Sequence, residues 1–591
     1  MIESLRRALA LLDRRDRWFW LGLVPLAVGA AVVEAAGAAA VFLLVRMLAG
    51  TANSSSTTSW LTAWLPPPAS DGTVVRFAVL LAAFYALRSL LLVAIQVAQE
   101  RVIQRTASRI AVSLLARYLH APYAFHFHRS SSSLVHAVRD SVDTVVENVL
   151  AAGVHIASEL LVVLGLLTLL AFTAPAETVA AVAAILLLLV VPLGFTRRLY
   201  TRWGERERST GEQMIAHLQQ SLDTVKQIVV SGRQQHFVDR YAHDRAALER
   251  LKLRRALGST TLRLGVETVF VCSMLLAVGM LTTAGRSGPE ALSVLSLFAY
   301  AGFRVVPSAN RVILNINMLR FGGPYVAALV HDWHELTPRA PAVATNLPPL
   351  LHSIECRDVS FIYEGAPAPA IDHVSFTIPR GTSVGIVGPT GAGKSTIVDL
   401  MLGLLSPRGG QIFVDGQDLA AVKSAWHAQI GYVPQDVVLI DDTLRRNIAF
   451  GLGDRQIDAA RVARAVAGAR LESLIASIPG GLDQPMGERG IRLSGGERQR
   501  IAIARALYDE PAVLVFDEAT ASLDTQTERE IAEAIDRVRG ERTILVIAHR
   551  LTTVRRCDRI LVLDRGRLVA DGRYDELMKQ SDLFRALASA S

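Results

Sequence analysis

The chain has 591 residues, 51% of them hydrophobic and 20% charged, with a formal net charge of +8 and a mean hydropathy of +0.33. The apolar content excludes a disordered chain, the hydropathy argues against a wholly soluble one, and the charged fraction argues against one lying entirely in lipid. Only three cysteines are present, Cys272, Cys356 and Cys557, with no CxxC spacing, which excludes a disulfide scaffold and a cysteine metal centre.

The charge is uneven. Residues 1–350 hold 33 Lys and Arg against 22 Asp and Glu, whereas residues 351–591 hold 29 against 32. The basic excess thus belongs to the hydrophobic half, where it marks membrane flanks rather than nucleic-acid contacts. A bilayer-spanning helix needs about 20 apolar residues. Six stretches qualify in chain order: Trp18 to Leu48, Val74 to Val97, Val145 to Phe172, Thr178 to Phe195, Ser259 to Leu281 and Ala291 to Leu314. The first is too long for a cleavable signal and lacks a small-residue cleavage context.

Arginine placement sets the expected orientation. Arg6, Arg7, Arg14, Arg15 and Arg17 precede span one; Arg101, Arg105, Arg109 and Arg117 follow span two; Arg197, Arg198, Arg202, Arg206 and Arg208 follow span four. Residues 51–75 and 173–177 carry no Lys or Arg. The positive-inside rule then puts both termini in the cytoplasm. The polar connections Gln99–Asp143 and Arg197–Gly258 have few Pro or Gly and read as helices running on beyond the bilayer. Trp60, Leu61, Trp64 and Leu65 share one helical face, so the first outer segment reads either as a short amphipathic helix on the membrane surface or as a loop with two interfacial Trp anchors. Pro338–Pro349 is rich in Pro and Ala and reads as a linker. The expected domains are therefore 1–335 in the membrane, a linker over 336–350, and a soluble unit over 351–591.

In the soluble part, the apolar strand Val384–Val387 runs into Gly388, Pro389, Thr390, Gly391, Ala392, Gly393, Lys394 and Ser395, and an apolar helix starts near Thr396. This is GxxxxGK[ST] in its strand-to-helix context. Backbone N–H groups and the helix dipole cradle phosphates, Lys394 reaches the β- and γ-phosphates of ATP, and the Ser395 hydroxyl is suited to Mg²⁺. A second apolar strand, Val513–Phe516, ends in Asp517 and Glu518. A carboxylate at the carboxyl end of a parallel strand lies beside such a loop, with Asp517 suited to the metal and Glu518 to the attacking water. Leu493, Ser494, Gly495, Gly496 and Glu497 precede an apolar helix, a further anion-cradling helix start or a simple N-cap.

These motifs together resemble the nucleotide-binding domain of ABC transporters, and the preceding half resembles the six-helix membrane domain of their exporter type. The fold expected by that resemblance is an all-α polytopic membrane domain followed by an α/β P-loop ATPase. The resemblance implies that Leu493–Glu497 is the signature completing the ATP site of an opposite subunit, with Glu497 where many members have Gln. It implies that Tyr363 stacks on adenine, and that Gln435 contacts Mg²⁺ and water. Ser522-Leu523-Asp524 would form the D-loop, His549 would sense the γ-phosphate, and Gly487–Gly490 would touch short coupling helices, for which Ala121–Arg129 and Glu212–Asp223 are the candidates. Six spans and one ATPase domain make half a transporter, so a homodimer is expected, with a heterodimer as the alternative.

Three arginines inside spans bear on the cargo: Arg88 in the middle of span two, Arg263 near the start of span five and Arg304 within span six. A charge at the bilayer centre costs roughly 2.5–3.5 kcal/mol on insertion scales and usually faces a watery cavity. Doubled in a dimer, these three suit a phosphate or pyrophosphate. The opposing reading is pairing with Glu34, Glu159 or Glu267, or snorkelling to the interface. Phe303-Arg304-Val305-Val306-Pro307-Ser308-Ala309-Asn310-Arg311, with Phe84, Tyr85, Arg88, Arg263 and Glu267, is similar to the lipid-linked oligosaccharide flippases of bacterial N-glycosylation. That likeness implies outward flipping of a pyrophosphate-linked lipid glycan. Export of hydrophobic drugs or other lipids is the alternative, and an ATPase regulating a channel is a third reading.

Overall fold

The computed structural model describes residues 2–48, 71–173, 175–283, 289–336, 348–487, 493–517, 540–548 and 550–590. The chain divides into two compact units, Met1–Ala121 with Phe125–Pro338, and Pro122–Ala124 with Arg339–Ser591.

The first unit is helical. A short amphipathic α1, Ile2–Ala10, precedes α2, Arg14–Leu48, and α3, Asp71–Leu119. The chain then runs through short helical segments from Ser131 into α4, Ala152–Thr173, followed by α5, Pro175–Asp223, α6, Gln234–Thr283, and α7, Pro289–Glu335. Each of the six expected spans falls on this helical path. Among the described residues five stretches are long and apolar enough to cross a membrane: Arg14–Glu34, Val75–Leu119, Ser131–Gly165, Gln234–Leu276 and Val305–Glu335. The remaining expected span lies in α5, which opens on Pro175 at its first position, where a missing N–H costs nothing.

Helices α3, α5 and α6 run well past their apolar parts, as the scarcity of Pro and Gly in the polar connections implies. Two details differ from expectation. Residues Glu212–Asp223 are the end of α5 rather than a short separate helix. The separate helix is Val225–Ser231, closed by Gly232 in the left-handed conformation with φ 64°. Tyr123–Phe127 does form a short helix, within the expected range. The entry to α4 is also irregular, with π-helical turns at Ala137–Ser141 and Val146–Ala151. The residues Trp60–Leu65 lie outside the described residues.

Polar contacts lock α5 to α7. The Thr196 hydroxyl donates to Asn317 Oδ1 at 2.8 Å, and Arg320 donates to the Leu193 carbonyl at 2.7 Å. Asn317 is 1% exposed, so its amide is satisfied inside the helix pair. Tyr118 donates to the Asp332 carboxylate at 2.7 Å, and Arg129 pairs with the same group at 2.6 Å. Around these contacts Leu114, Val145, Val149, Tyr200, Phe321 and Leu329 form one apolar core.

The second unit holds β1, Ser353–Phe361, β2, Ile371–Pro379, β3, Ser383–Val387, then α8, Lys394–Met401. Strands β4, Gly409–Val414, β5, Gln417–Asp418, and β6, Ile430–Val433, follow. The chain continues with α9, Gly495–Leu507, β7, Val513–Asp517, β8, Thr543–Ile547, β9, Arg559–Asp564, and β10, Arg567–Gly572. One sheet has the order β2-β1-β4-β5 and is antiparallel; the other has the order β10-β9-β3-β8-β7-β6. In the larger sheet β9, β3, β8, β7 and β6 are parallel. Its strands β3, β7, β8 and β9 are buried on both faces. Leu514, Phe516, Ile544 and Val546 enter one core, and Val513, Val515, Leu545 and Ile547 enter the other, as the two-residue period of a strand requires.

The α5–α7 contact generates a test. A Cβ on Gly204 would lie 2.1 Å from the Phe321 carbonyl oxygen, whereas one on Gly194, in the same helix, meets nothing within 4 Å. Gly204→Ala forces the two backbones apart and is expected to cost about 1–3 kcal/mol, read as a lowered melting temperature of the purified protein. Gly194→Ala is expected to melt like the parent. Equal melting of both variants contradicts the packing.

Candidate functional site

The phosphate loop gathers at the carboxyl edge of the larger sheet. Strand β3 delivers Gly388 directly after Val387. On the neighbouring strand, Ile386 pairs with Ile547 of β8, and Ile547 in turn pairs with Asp517 of β7. The register therefore sets Asp517 level with the start of the loop, with β8 between them. A parallel sheet presents all its carboxyl ends on one edge, which is where such folds bind ligands.

The loop closes onto α8 through Gly393, the helix N-cap, at φ 98°. A Cβ there would lie 2.5 Å from the Ala370 carbonyl oxygen, so only glycine lets the chain turn into the helix at this point. Lys394 is 5% exposed, and its ammonium donates to the Gly388 and Pro389 carbonyls at 3.0 and 3.1 Å. Thr390, Gly391 and Ser395 are exposed, whereas Ala392 and Thr396 are buried. The donor set is a helix N-terminus, a lysine and an accessible serine hydroxyl, with Asp517 on the same sheet edge. It fits a nucleotide polyphosphate with a hard, oxygen-preferring cation such as Mg²⁺. Tyr363 stands beside the same helix, its hydroxyl 3.1 Å from Thr396 Oγ1 and its ring edge-on to Phe361.

Two groups at this edge escaped the sequence reading. The Tyr432 hydroxyl, on β6, donates to Asp517 Oδ2 at 3.0 Å. Burial and the Asp517 carboxylate push this phenol above its usual range. Asp399, on α8, is pushed up to about 6 by burial and then by the charge of Asp517. The signal for Asp399 was present in its position, five residues after Lys394 on a helix anchored by the loop. Gln435 lies two residues beyond the end of β6 and is exposed.

The second helix start is a capping box. Ser494 N and Oγ both donate to Glu497 Oε2, at 2.7 and 2.8 Å, and the Glu497 N–H donates back to Ser494 Oγ at 3.3 Å. Gly495 and Gly496 form the first turn of α9. Glu497 is thereby the partner that fixes Ser494, a role Gln can also fill. From within α9, Gln499 reaches the Pro434 carbonyl at 3.5 Å, beside Gln435. Glu518, Ser522–Asp524, Glu488–Gly490 and His549 lie outside the described residues.

In the helical unit a cavity of about 470 Å³ opens between α5, α6 and α7, lined among others by Tyr200, Ser259, Arg263, Glu267, Asn310 and Arg311. The Arg263 side chain is 61% exposed and stands 3.9 Å from Glu267 one turn on. Arg311 grips Glu159 of α4 with two nitrogens, one at 3.0 Å, and Ser308 at 3.3 Å. Arg88 is paired with Glu34 of α2, the partner named in the opposing reading, at 15% and 13% exposure, and lies over the Tyr85 ring. A counter-charge on the adjoining helix satisfies the guanidinium where lipid would not. Arg304 lies in α7, but its side chain is outside the described residues. Arg311, quoted in the sequence but given no role there, takes the place beside Arg263.

Residues 371–521 match the ABC transporter family, and residues 26–304 match the ABC transporter transmembrane region. Over 489 residues the chain is 30% identical to the ATP-dependent lipid A-core flippase of Burkholderia orbicola (strain AU 1054), spanning 82% of this chain and 81% of that one. It is 32% identical over 491 residues to the ATP-dependent lipid A-core flippase of Xanthomonas oryzae pv. oryzae (strain MAFF 311018), spanning 81% of each. Among solved structures, a bacterial Atm1-family ABC exporter with ATP bound superposes with a TM-score of 0.79 and 26% identity, over 98% of this chain and 99% of that one.

The raised Asp399 pKa generates a test. A carboxyl whose folded pKa exceeds its unfolded one binds more protons when folded, so stability falls as pH rises from about 4 towards 6 and stays lowered above it. Asp399→Asn removes that penalty. The variant is expected to melt higher than the parent at pH 8, by about 2–4 °C per kcal/mol relieved, with a smaller gain at pH 5. A gain equal at both pH values, or none at pH 8, contradicts the assignment.

Proposed function

Because the chain belongs to the exporter-type ABC transporters, membrane-spanning ATPases that couple hydrolysis to transport, we propose that it flips an anionic lipid outward across a bacterial inner membrane. The cargo is a lipid-linked oligosaccharide joined through pyrophosphate, and the working unit is a homodimer with both termini of each chain in the cytoplasm. The observation that carries the cargo is the cavity between α5, α6 and α7, where Arg263 and Arg311 stand together. The flippase relatives support lipid movement in general, and the guanidinium pair supports an anionic head.

In this reading residues 1–335 carry the cargo, 336–350 connect, and 351–591 bind ATP. Backbone N–H groups of Gly388–Ser395 and the Lys394 ammonium hold the β- and γ-phosphates, and Tyr363 stacks on the adenine. Ser395, Gln435 and Asp517 would hold Mg²⁺, which would supply charge neutralisation at the phosphates. Tyr432, by its bond to Asp517 Oδ2, orients that carboxylate. Glu518 accepts a proton from the attacking water, and His549 holds the γ-phosphate. Ser494, Gly495, Gly496 and Glu497 of the partner chain close the site over the nucleotide, so binding of two ATP draws the ATPase units together. Their movement reorients the helices, and product release resets the dimer.

Arg263 and Arg311 act as the anion clamp. Their counter-ions Glu267 and Glu159 keep the guanidiniums charged and placed, and exchange them to the pyrophosphate when the lipid enters. Arg304 shares the same helix as Arg311 and adds to the clamp, and Arg88 holds α3 against α2 through Glu34. In nanodiscs, the double variant Arg263→Ala, Arg311→Ala is expected to keep basal ATP hydrolysis and to lose stimulation by a polyprenyl-pyrophosphate glycan. A loss of about tenfold in apparent affinity follows from roughly 1.4 kcal/mol of charge-assisted contact. Undiminished stimulation overturns the clamp, and stimulation by neutral hydrophobic drugs alone favours drug export.

A further inference from the structure

A second cavity in the helical unit belongs to neither the nucleotide site nor the anion clamp. It has a volume of about 600 Å³ and lies between α1, the start of α2, and the stretch from Leu150 into α4. Its walls are apolar, with Leu9, Leu21, Val24, Val154 and Leu161 among them, and Arg6 and Arg17 line it too. From Leu150 to Leu161 the wall runs about 16 Å at 1.5 Å per residue, long enough to cover most of an acyl chain.

The two arginines sit where a headgroup would. Both are exposed and belong to the segment preceding the first span. Arg17 is steadied by its Nε donating to the Leu12 carbonyl at 3.1 Å, which leaves its terminal nitrogens for another acceptor. Among the described residues neither Arg6 nor Arg17 has a carboxylate partner, in contrast to Arg7, which pairs with Glu3, and to Arg109, which pairs with Asp16. The surroundings mark a membrane boundary. Ile2 is 79% exposed and Trp18 76% exposed, so α1 and the start of α2 present large apolar groups that need lipid, and Trp favours the headgroup level. The α1 helix itself is firmly seated, with Ala8 fully buried and Leu5 against Gly153.

We propose that this groove is a binding site for one anionic phospholipid per chain, its phosphodiester held by Arg6 and Arg17 and an acyl chain lying along Leu21, Val24, Val154 and Leu161. A zwitterionic lipid satisfies the apolar wall and offers the same phosphodiester, but its own ammonium offsets that charge and compensates the two guanidiniums less well. Charge therefore selects the lipid, and the groove fixes its place.

The test is a lipid titration of the delipidated full-length protein, read by native mass spectrometry, with phosphatidylglycerol and phosphatidylcholine of identical chains. One tight phosphatidylglycerol per chain is expected, bound more strongly than phosphatidylcholine. In Arg6→Ala, Arg17→Ala its affinity is expected to fall about thirtyfold, roughly fivefold for each basic residue removed at a membrane surface. Arg6→Lys, Arg17→Lys should retain most of it. Ala157→Phe, which fills the groove with both arginines intact, should displace phosphatidylglycerol and phosphatidylcholine alike. Retained ATP hydrolysis is the folding check for every variant. Equal binding of the two lipids by the parent overturns the proposal, as does unchanged phosphatidylglycerol binding in the double alanine variant. Displacement of the lipid by glycerol phosphate as effectively as by the intact lipid means that the headgroup alone binds and overturns the acyl-chain part. An alanine variant that no longer hydrolyses ATP is replaced by the lysine and Ala157→Phe pair, and failure of Ala157→Phe to displace the lipid then overturns the site.

Discussion

A guanidinium carried into a bilayer must meet a polar partner, and that constraint organises the helical half of this protein. Apolar side chains cannot decide which face of a membrane helix turns inward, because lipid tails are as apolar as leucine. Leu87 and Leu90 are 68% and 69% exposed, while Arg88 between them is tucked against Glu34. The ion pair sets the rotation of α3 on α2 that the leucines leave open. Arg311 with Glu159 does the same for α7 on α4, and the Thr196, Asn317 and Arg320 contacts do so for α5 on α7. Removing one partner of such a pair strands the other charge, so these contacts specify geometry more than they add stability.

The ATPase half is organised by the opposite rule. In water, burial of apolar residues is decisive, and the central strands of the larger sheet, apolar along their length, divide successive side chains between two cores. Parallel pairing then brings the carboxyl ends of β3, β7 and β8 to one edge. The phosphate loop and Asp517 become neighbours although well over a hundred residues separate them. The edge also concentrates negative charge. Asp399 and Asp517 repel, a cost that the bond from Tyr432 to Asp517 eases and that a cation beside Asp517 would offset.

Legibility from sequence followed the range of the physics involved. The six spans and the phosphate loop depend on composition or on eight consecutive residues, and both could be read directly. So could the helical continuation of α5 and α6 past the bilayer, since Pro and Gly are sparse there. Pairings between distant helices could not. Arg88 could be read either as facing a cavity or as paired with Glu34, because nothing local shows which of the two stands opposite it. Arg311 was passed over for the same reason, and so was Tyr432, whose target lies across a strand pair. The short helix after α5 was placed too early because its stop signal is Gly232, a left-handed cap whose effect reaches back only one turn. The π-helical turns before α4 have no sequence signature; they lie in contact with α7.

In the proposed cycle a charged head, not a greasy tail, commits the lipid to transport. The most direct measurement is translocation in proteoliposomes of two lipids with the same polyprenyl chain and the same glycan, one joined through pyrophosphate and one through a neutral ether. With ATP inside reach of the ATPase units, the pyrophosphate lipid is expected to cross and the neutral lipid to stay in its leaflet. Equal crossing of both, or crossing of the pyrophosphate lipid without ATP, would contradict the account.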